Sequence, residues 1–229
     1  MRLAIVPARG RSKGLPRKNL LPLAGKPLVC WTIEHAFAAK SVDRVIVSTD
    51  DEEIAAIAQA AGADVPFLRP AELAEDDTAD LPVLAHALAW LSEHEGFEPD
   101  IIVWLRPTSP LRTAEDIDAA VGLLESRGAR CVRSVCLTEH HPAWMYRMEN
   151  DELELFEVPG GPYMRRQDLP AVYRPNGAVD VIRRNAVPEG GALFATPAVG
   201  YVMPRERSID IDDAVDLGLA SMLLERTQT

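Results

Sequence analysis

Between Pro7 and Asn19 the chain reads PARGRSKGLPRKN, a stretch holding five basic residues and no acid. Arg9, Lys13 and Lys18 can offset the charge of a triphosphate, while successive backbone N–H groups cradle its oxygens. Gly10 and Gly14 let the backbone approach a ligand closely, and Pro16 blocks a simple helical continuation. The spacing fits neither G-x-x-x-x-G-K-[ST] nor G-x-G-x-x-G, so this is no standard phosphate motif. A solvated basic turn is the competing reading of the same residues. The loop contributes +5 to a chain of formal net charge −11, leaving −16 for the remainder, so attraction for an anion must be local.

Near the other end stands Ser208-Ile209-Asp210-Ile211-Asp212. As a strand it would aim Asp210 and Asp212 at one face and send Ile209 and Ile211 into the core. Two carboxylates so aimed suit Mg²⁺, which takes one or two protein carboxylates and completes its shell with phosphate oxygens and water. The alternative makes Asp212 a helix cap and Asp210 a surface acid. A third candidate is LRPTSPLR, where Pro107 and Pro110 hold a rigid path and Arg106, Thr108, Ser109 and Arg112 are available to a ligand. Without a ligand the same residues make a strand-to-helix turn with Thr113 as cap. YMRRQDLPAVYRPNGAVD adds Arg165, Arg166, Gln167 and Asn176, able to grip an acidic sugar through bidentate guanidinium contacts, or else a loop tied down by surface ion pairs.

The elements that must position these residues follow a βαβ pattern, with short apolar runs alternating with longer segments of helical period. Strands are expected at Arg2 to Pro7, Arg44 to Ser48, Asp100 to Leu105, Arg130 to Leu137, Gly177 to Arg183 and Ala198 to Met203. Helices are expected at Pro27 to Ala39, Asp51 to Ala61, Leu81 to Glu93, Ala114 to Ser126, and from Asp212 or Asp213 to Glu225. The run Asp50-Asp51-Glu52-Glu53 reads as an acidic first turn behind an Asp50 cap. From about residue 140 to 174 the alternation breaks into short antiparallel strands and a Gly/Pro-rich loop, an insertion suited to a subunit contact. His140 and His141 there read as packing or dimer residues; His35, His86 and His94 fall in helices as structural or exposed groups. The expected whole is a single α/β domain over 1–229 with a mainly parallel sheet that binds ligands at its strand ends.

Composition narrows the partners. With 47% hydrophobic and 26% charged residues among 229, the chain reads as an ordinary globular protein with a substantial core. A pI near 4.9 argues against nucleic-acid binding, which needs spread basic surface. Cys30, Cys131 and Cys136 are odd in number and show no zinc spacing, so they are expected to be reduced thiols. The opening apolar run, Leu3 to Ala8, is too short for a signal segment or a membrane span, and a cytoplasmic location is expected.

Five segments, VPARGRSKGLPRKNLLPLAGKPL, VIVSTDDEEIA, RPTSPLRTAEDID, RRQDLPAVYRPNGA and VMPRERSIDIDDAVDL, in this order and at these separations, resemble the acylneuraminate cytidylyltransferase family, the CMP-sialic acid synthetases. The resemblance implies a Rossmann-like nucleotidyltransferase domain, a homodimer whose insertion reaches toward the partner's active site, and Mg²⁺-dependent transfer of CMP from CTP to the anomeric hydroxyl of an acidic nine-carbon sugar. Carried over by position, it places Ala8, Arg9, Gly10, Ser12, Lys13, Lys18, Asn19 and Thr78 around the nucleotide, with Lys18 among the catalytic groups. It gives Asp210 and Asp212 the metal, and Arg106, Arg165, Gln167, Asn176 and Asp180 the sugar side. This chain departs from the family pattern at Asp80, where a hydroxyl residue is common, at Arg106, where glutamine is common, and at Asp180, where tyrosine is common. Charged groups in a desolvated pocket change which ligand is tolerated, unless Arg106 and Asp180 pair and leave the pocket neutral. Two other readings follow: a nucleotidyltransferase of the same fold with another acceptor or GTP, and a nucleotide-binding subunit without turnover.

Overall fold

The computed structural model describes residues 1–156, 165–194 and 197–227. Its strands are β1 (Arg2–Pro7), β2 (Pro22–Leu23), β3 (Lys26–Pro27), β4 (Arg44–Ser48), β5 (Ile101–Trp104), β6 (Cys131–Leu137), β7 (Tyr146–Glu149), β8 (Glu152–Leu155), β9 (Tyr173–Arg183) and β10 (Val199–Val202). Its α-helices are α1 (Leu28–Ala38), α2 (Glu52–Ala60), α3 (Asp80–Glu95), α4 (Ala114–Ser126) and α5 (Ala214–Thr227). Six strands form one sheet in the order β10-β6-β9-β5-β1-β4, and β9 alone runs antiparallel to its neighbours. The fold is therefore α/β with a mainly parallel sheet, as the alternation of periods predicts.

Period-2 alternation in β1 divides the core into two layers. Ala4 and Val6 face Val29 and Ile33 of α1, Ile54 of α2 and Ile117 and Val121 of α4. Leu3 and Ile5 face Leu84, Leu88 and Leu91 of α3. With both faces covered, the strands read as near-continuous apolar runs rather than half-polar ones. A third cluster packs Ile211 with Leu23, Leu28, Trp31 and Leu111 and with Ala220 and Leu224 of α5.

Several local expectations are corrected. The cap of α2 is Asp51, whose carboxylate accepts from the backbone N–H groups of Glu53 and Ile54, and not Asp50. Asp212 does not cap α5, because Asp213 accepts from Val215 and Asp216 while Asp216 accepts in return from Asp212 and Asp213. Residues 208–212 are not a strand; Ile211 N donates to the Thr108 carbonyl at 2.7 Å, outside any strand ladder. Strand β9 begins at Tyr173, before the expected Gly177, and carries a bulge: partners run from Arg133 opposite Asp180 to Val135 opposite Pro175. Gly177, at φ 68°, turns the backbone there, a conformation costly for other residues. Thr113 does cap α4, with a capping box completed by Asp116. The antiparallel hairpin β7–β8 forms within the expected insertion, while part of its Gly/Pro-rich loop lies outside the described residues.

Candidate active site

A cleft of about 240 Å³ opens beside the carboxyl ends of β1 and β5. Its lining carries five cations, Arg9, Arg11, Lys18, Arg69 and Arg106, against the three acids Glu75, Asp76 and Asp80. A locally positive cavity thus sits in a strongly acidic chain, the arrangement that concentrates a small anion.

The basic loop is shaped by contacts to distant segments. Ala8 is buried and its N–H continues the pairing of β1 with β4 by donating to the Ser48 carbonyl at 3.0 Å. Gly10 N donates to Asp50 Oδ1 at 2.9 Å, the role Asp50 takes instead of capping. A Cβ at Gly10 would lie 2.6 Å from Asp51 Oδ2, so glycine is needed for this approach. Asn19 Nδ2 donates to the Arg9 carbonyl at 2.9 Å, tying the end of the loop to its start. Ser12, Asn19 and Thr78 line the cleft. Arg9 pairs with Asp76 at 3.1 Å and Lys13 with the same carboxylate at 3.4 Å.

The loop also meets the Asp-x-Asp segment. Lys18 Nζ donates to the Ile211 carbonyl at 2.7 Å and to Asp212 Oδ1 at 3.0 Å. A Cβ at Gly14 would collide with the Asp212 carbonyl oxygen. Ile211 is fully buried and its side chain contributes about 1.5–3 kcal/mol, which anchors the two carboxylates from below. Above the same segment, Asp116 clamps the preceding turn. It accepts from Arg207 Nη2 at 2.8 Å and Nε at 3.0 Å and from the Tyr201 hydroxyl at 2.9 Å. Burial disfavours the Asp116 carboxylate, yet these bonds and one from the Thr113 backbone hold its pKa below the ordinary value.

Asp210 has one buried oxygen, Oδ1, without a hydrogen-bond partner, while Asp212 is largely exposed beside Lys18. An orphaned buried carboxylate oxygen is costly unless something else meets it. Among the described residues no group of three or more His, Cys, Asp or Glu is placed to hold a metal. The donor set therefore fits a hard divalent ion that draws its remaining ligands from phosphate and water, and not a closed protein cage.

Gly177 separates Asp210 from a charged wall: its ideal Cβ position is 3.8 Å from Asp210 Oδ2 and 3.7 Å from Arg106 Nη1. Arg106 donates to Asp180 Oδ2 at 2.8 Å and to Asp80. Arg133 Nε donates to the other oxygen of Asp180 at 3.1 Å. Phe194 lies against both guanidiniums, 5.0 Å from Arg133 and 5.9 Å from Arg106. Burial by itself would lower the Arg106 pKa, but Asp80 and Asp180 raise it above the ordinary value. Two positive and two negative groups make this wall neutral, as an Arg106–Asp180 pair would require.

Other expected ligand groups are committed elsewhere. Arg112 and Ser109 are fully buried, not available in the turn; Arg112 donates to Thr32 Oγ1 at 2.8 Å and to the Arg106 carbonyl. Burial and the neighbouring Arg106 push the Arg112 pKa down to about 9. Asn176 is buried, donates to Ser208 Oγ at 2.8 Å, and accepts from Ser134 Oγ at 2.5 Å and Ala178 N at 3.2 Å. It knits β6, β9 and the 204–208 turn together and shows little surface to a ligand. Arg165 is exposed and paired with Asp168 at 2.8 Å, and Gln167 lines a separate depression near His141. Neither lines the cleft of its own chain. His141 accepts from Ala143 N at 3.1 Å through Nδ1, a packing role.

Arg69, Asp76 and Arg133 were not legible as site residues. Arg69 is buried, donates to Ser48 Oγ at 3.1 Å and Leu73 O at 3.3 Å, and has its pKa lowered to about 10 chiefly by burial. Its only sequence signal is an arginine before Pro70, which carries no periodicity.

Residues 3–190 match the family profile described as cytidylyltransferase. The chain belongs to the cytidylyltransferase family. This cytidylyltransferase-family chain is 36% identical over 227 residues to the N-acylneuraminate cytidylyltransferase of Escherichia coli, a match covering 98% of this chain and 52% of that protein. It is 32% identical over 237 residues to the CMP-N,N'-diacetyllegionaminic acid synthase of Legionella pneumophila, covering 99% and 97%. It is 31% identical over 222 residues to a pseudaminic acid cytidylyltransferase of Campylobacter jejuni, covering 96% and 95%. The chain thus spans about half the length of the Escherichia coli relative and nearly all of the other two. A CMP:2-keto-3-deoxy-manno-octonic acid synthetase complexed with CTP shares the fold, with a TM-score of 0.71 at 17% identity over 99% of both chains.

Proposed function

We propose that this protein transfers CMP from CTP to the anomeric hydroxyl of a sialic-acid-like nine-carbon α-keto acid sugar, releasing pyrophosphate. The observation that carries the reading is the meeting of two distant motifs: Lys18 of the basic loop bonds Asp212, across 194 residues, at the edge of a cleft that holds Arg9. The named activities of the full-length Legionella and Campylobacter relatives support the same acceptor class.

In this reading the acceptor oxygen forms a bond to the α-phosphorus as the bond to the β-phosphate oxygen breaks, and the acceptor proton passes to solvent. Arg9, Lys13 and Lys18 stabilise the charge that grows on departing pyrophosphate. Asp210 and Asp212 would hold Mg²⁺, which supplies charge neutralisation at phosphate and lowers the pKa of a bound hydroxyl. The wall of Arg106, Arg133, Asp80 and Asp180 borders the acceptor. Its neutrality as a set favours an uncharged part of the sugar there, and it motivates a second reading in which a different acidic sugar or sugar phosphate is used, or GTP replaces CTP.

A homodimer is part of the proposal. Tyr146, Met148 and Leu153 are exposed on one face of the β7–β8 hairpin, an apolar face suited to a second copy. Arg165 and Gln167 would then serve the partner's cleft. Among the described residues no helix is long and apolar enough to cross a membrane.

Pyrophosphate release, measured with four nucleoside triphosphates against several acidic sugars, tests the reading. CTP with a nine-carbon acidic sugar is expected to give turnover, and an Asp210→Ala, Asp212→Ala variant is expected to lose it. Full activity in that variant refutes the metal assignment, and tight nucleotide binding without turnover favours a non-catalytic subunit.

A further inference from the structure

We propose that Asp76 is a positioning residue for product release: it occupies the place of the β- and γ-phosphates between turnovers and competes with pyrophosphate for the loop cations. The inference rests on the nucleotide-binding reading of the basic loop. Asp76 uses both carboxylate oxygens, Oδ1 toward Arg9 Nη2 at 3.1 Å and Oδ2 toward Lys13 Nζ at 3.4 Å. Arg9 Nη1 donates to the adjacent Glu75 carbonyl at 2.7 Å, so the guanidinium is held to this segment at two points. Glu75 and Asp76 both line the cleft.

The stem of the segment is fixed. Arg69 Nη1 donates to the Leu73 carbonyl at 3.3 Å, and Thr78 N donates to the Glu75 carbonyl at 3.3 Å. Two cations of the loop are thus bridged by one carboxylate. A polyphosphate carries more charge and more acceptor oxygens than a carboxylate and displaces it. Once the α–β phosphate bond has broken, pyrophosphate is held by the loop alone, and the return of Asp76 to Arg9 and Lys13 opposes its retention. A ligand without β- and γ-phosphates does not meet this competition.

Calorimetric titration of the full chain with inorganic pyrophosphate, CTP and CMP provides the test, with Asp76→Asn against Asp77→Asn. Asp77 is exposed and has no ion pair among the described residues, so its variant removes the same charge without the contact. Because both pairs are partly solvated, the expected gain is modest: Asp76→Asn tightens pyrophosphate and CTP on the order of three- to tenfold. CMP affinity stays unchanged, which also certifies the fold, and pyrophosphate becomes a stronger product inhibitor by the same factor. Asp77→Asn stays near the wild type for all three ligands. Unchanged or weaker pyrophosphate binding in Asp76→Asn overturns the inference, as does an equal gain in Asp77→Asn. If the wild type binds neither pyrophosphate nor CTP, the phosphate reading of the loop falls and the inference with it.

Discussion

Replacing Asp180 by asparagine removes the only charge that faces both Arg106 and Arg133 from β9. The side chain is wholly buried and accepts at 2.8 Å from one guanidinium and 3.1 Å from the other. Asparagine keeps the volume but leaves one acceptor oxygen and turns an NH₂ toward a cation. Breaking a buried ion pair by removing one partner costs roughly 3–5 kcal/mol. Here Arg106 and Arg133 are 22% and 27% exposed, so water relieves part of the cost and the lower end, about 3 kcal/mol, is expected. For a chain of this size that is a fall in Tm of about 6–12 °C. Urea unfolding followed by circular dichroism measures it, and Arg106→Gln combined with Asp180→Asn completes a double-mutant cycle. The expected coupling is about 1–3 kcal/mol, because the second change removes the cation that the first left uncompensated. In turnover assays both single variants are expected to raise KM for the acidic sugar while leaving KM for CTP nearly unchanged. An Asp180→Asn protein within about 0.5 kcal/mol of the wild type, or additive effects in the cycle, would refute the view of the wall as one coupled network.

Gly14→Ala places a methyl against the Asp212 carbonyl, so a loss of kcat of at least about tenfold with an unchanged circular dichroism spectrum is expected, since small misplacements of reacting groups are costly. Activity near that of the wild type would mean that the loop and the Asp-x-Asp segment need not touch. His35, in α1, has its pKa lowered to about 4 chiefly by burial, with Arg112 and Lys26 adding to the effect. Between the unfolded value near 6.5 and about 4 the unfolded chain binds the extra proton, so stability is full above that window and declines as pH falls through it, by about 3 kcal/mol in all. Urea midpoints of wild type and His35→Leu between pH 7 and 4 check this: the variant should lose less stability across the window, and parallel curves would contradict the assignment.

The apolar layers were legible because their signal is local. The continuous apolar run of β1 and the helical period in α1 to α4 are properties of each segment, and burial on both sheet faces accounts for the run. Thr113 was legible as a cap for the same reason. The Asp50 expectation failed because Asp50 and Asp51 are chemically alike and adjacent. A hydrogen bond from Gly10, far away in the chain, decides which one turns away from the helix. Asn176 reads as a ligand group, beside a glycine and near arginines, until Ser134 and Ser208 arrive from other elements and consume its donors and acceptors.

The sequence by itself determined that this chain builds an α/β sheet, that a basic loop follows its first strand, and that two aspartates alternate with isoleucines near its end. Those features depend on residue type and short spacing, which physical chemistry reads directly. Only the tertiary structure decided that Lys18 bonds Asp212, that Asp180 bridges two arginines, and that Asp76 meets Arg9 and Lys13. Each of those pairings joins segments whose meeting is set by closure of the whole sheet, and charge alone attracts many partners equally until packing brings one of them within reach.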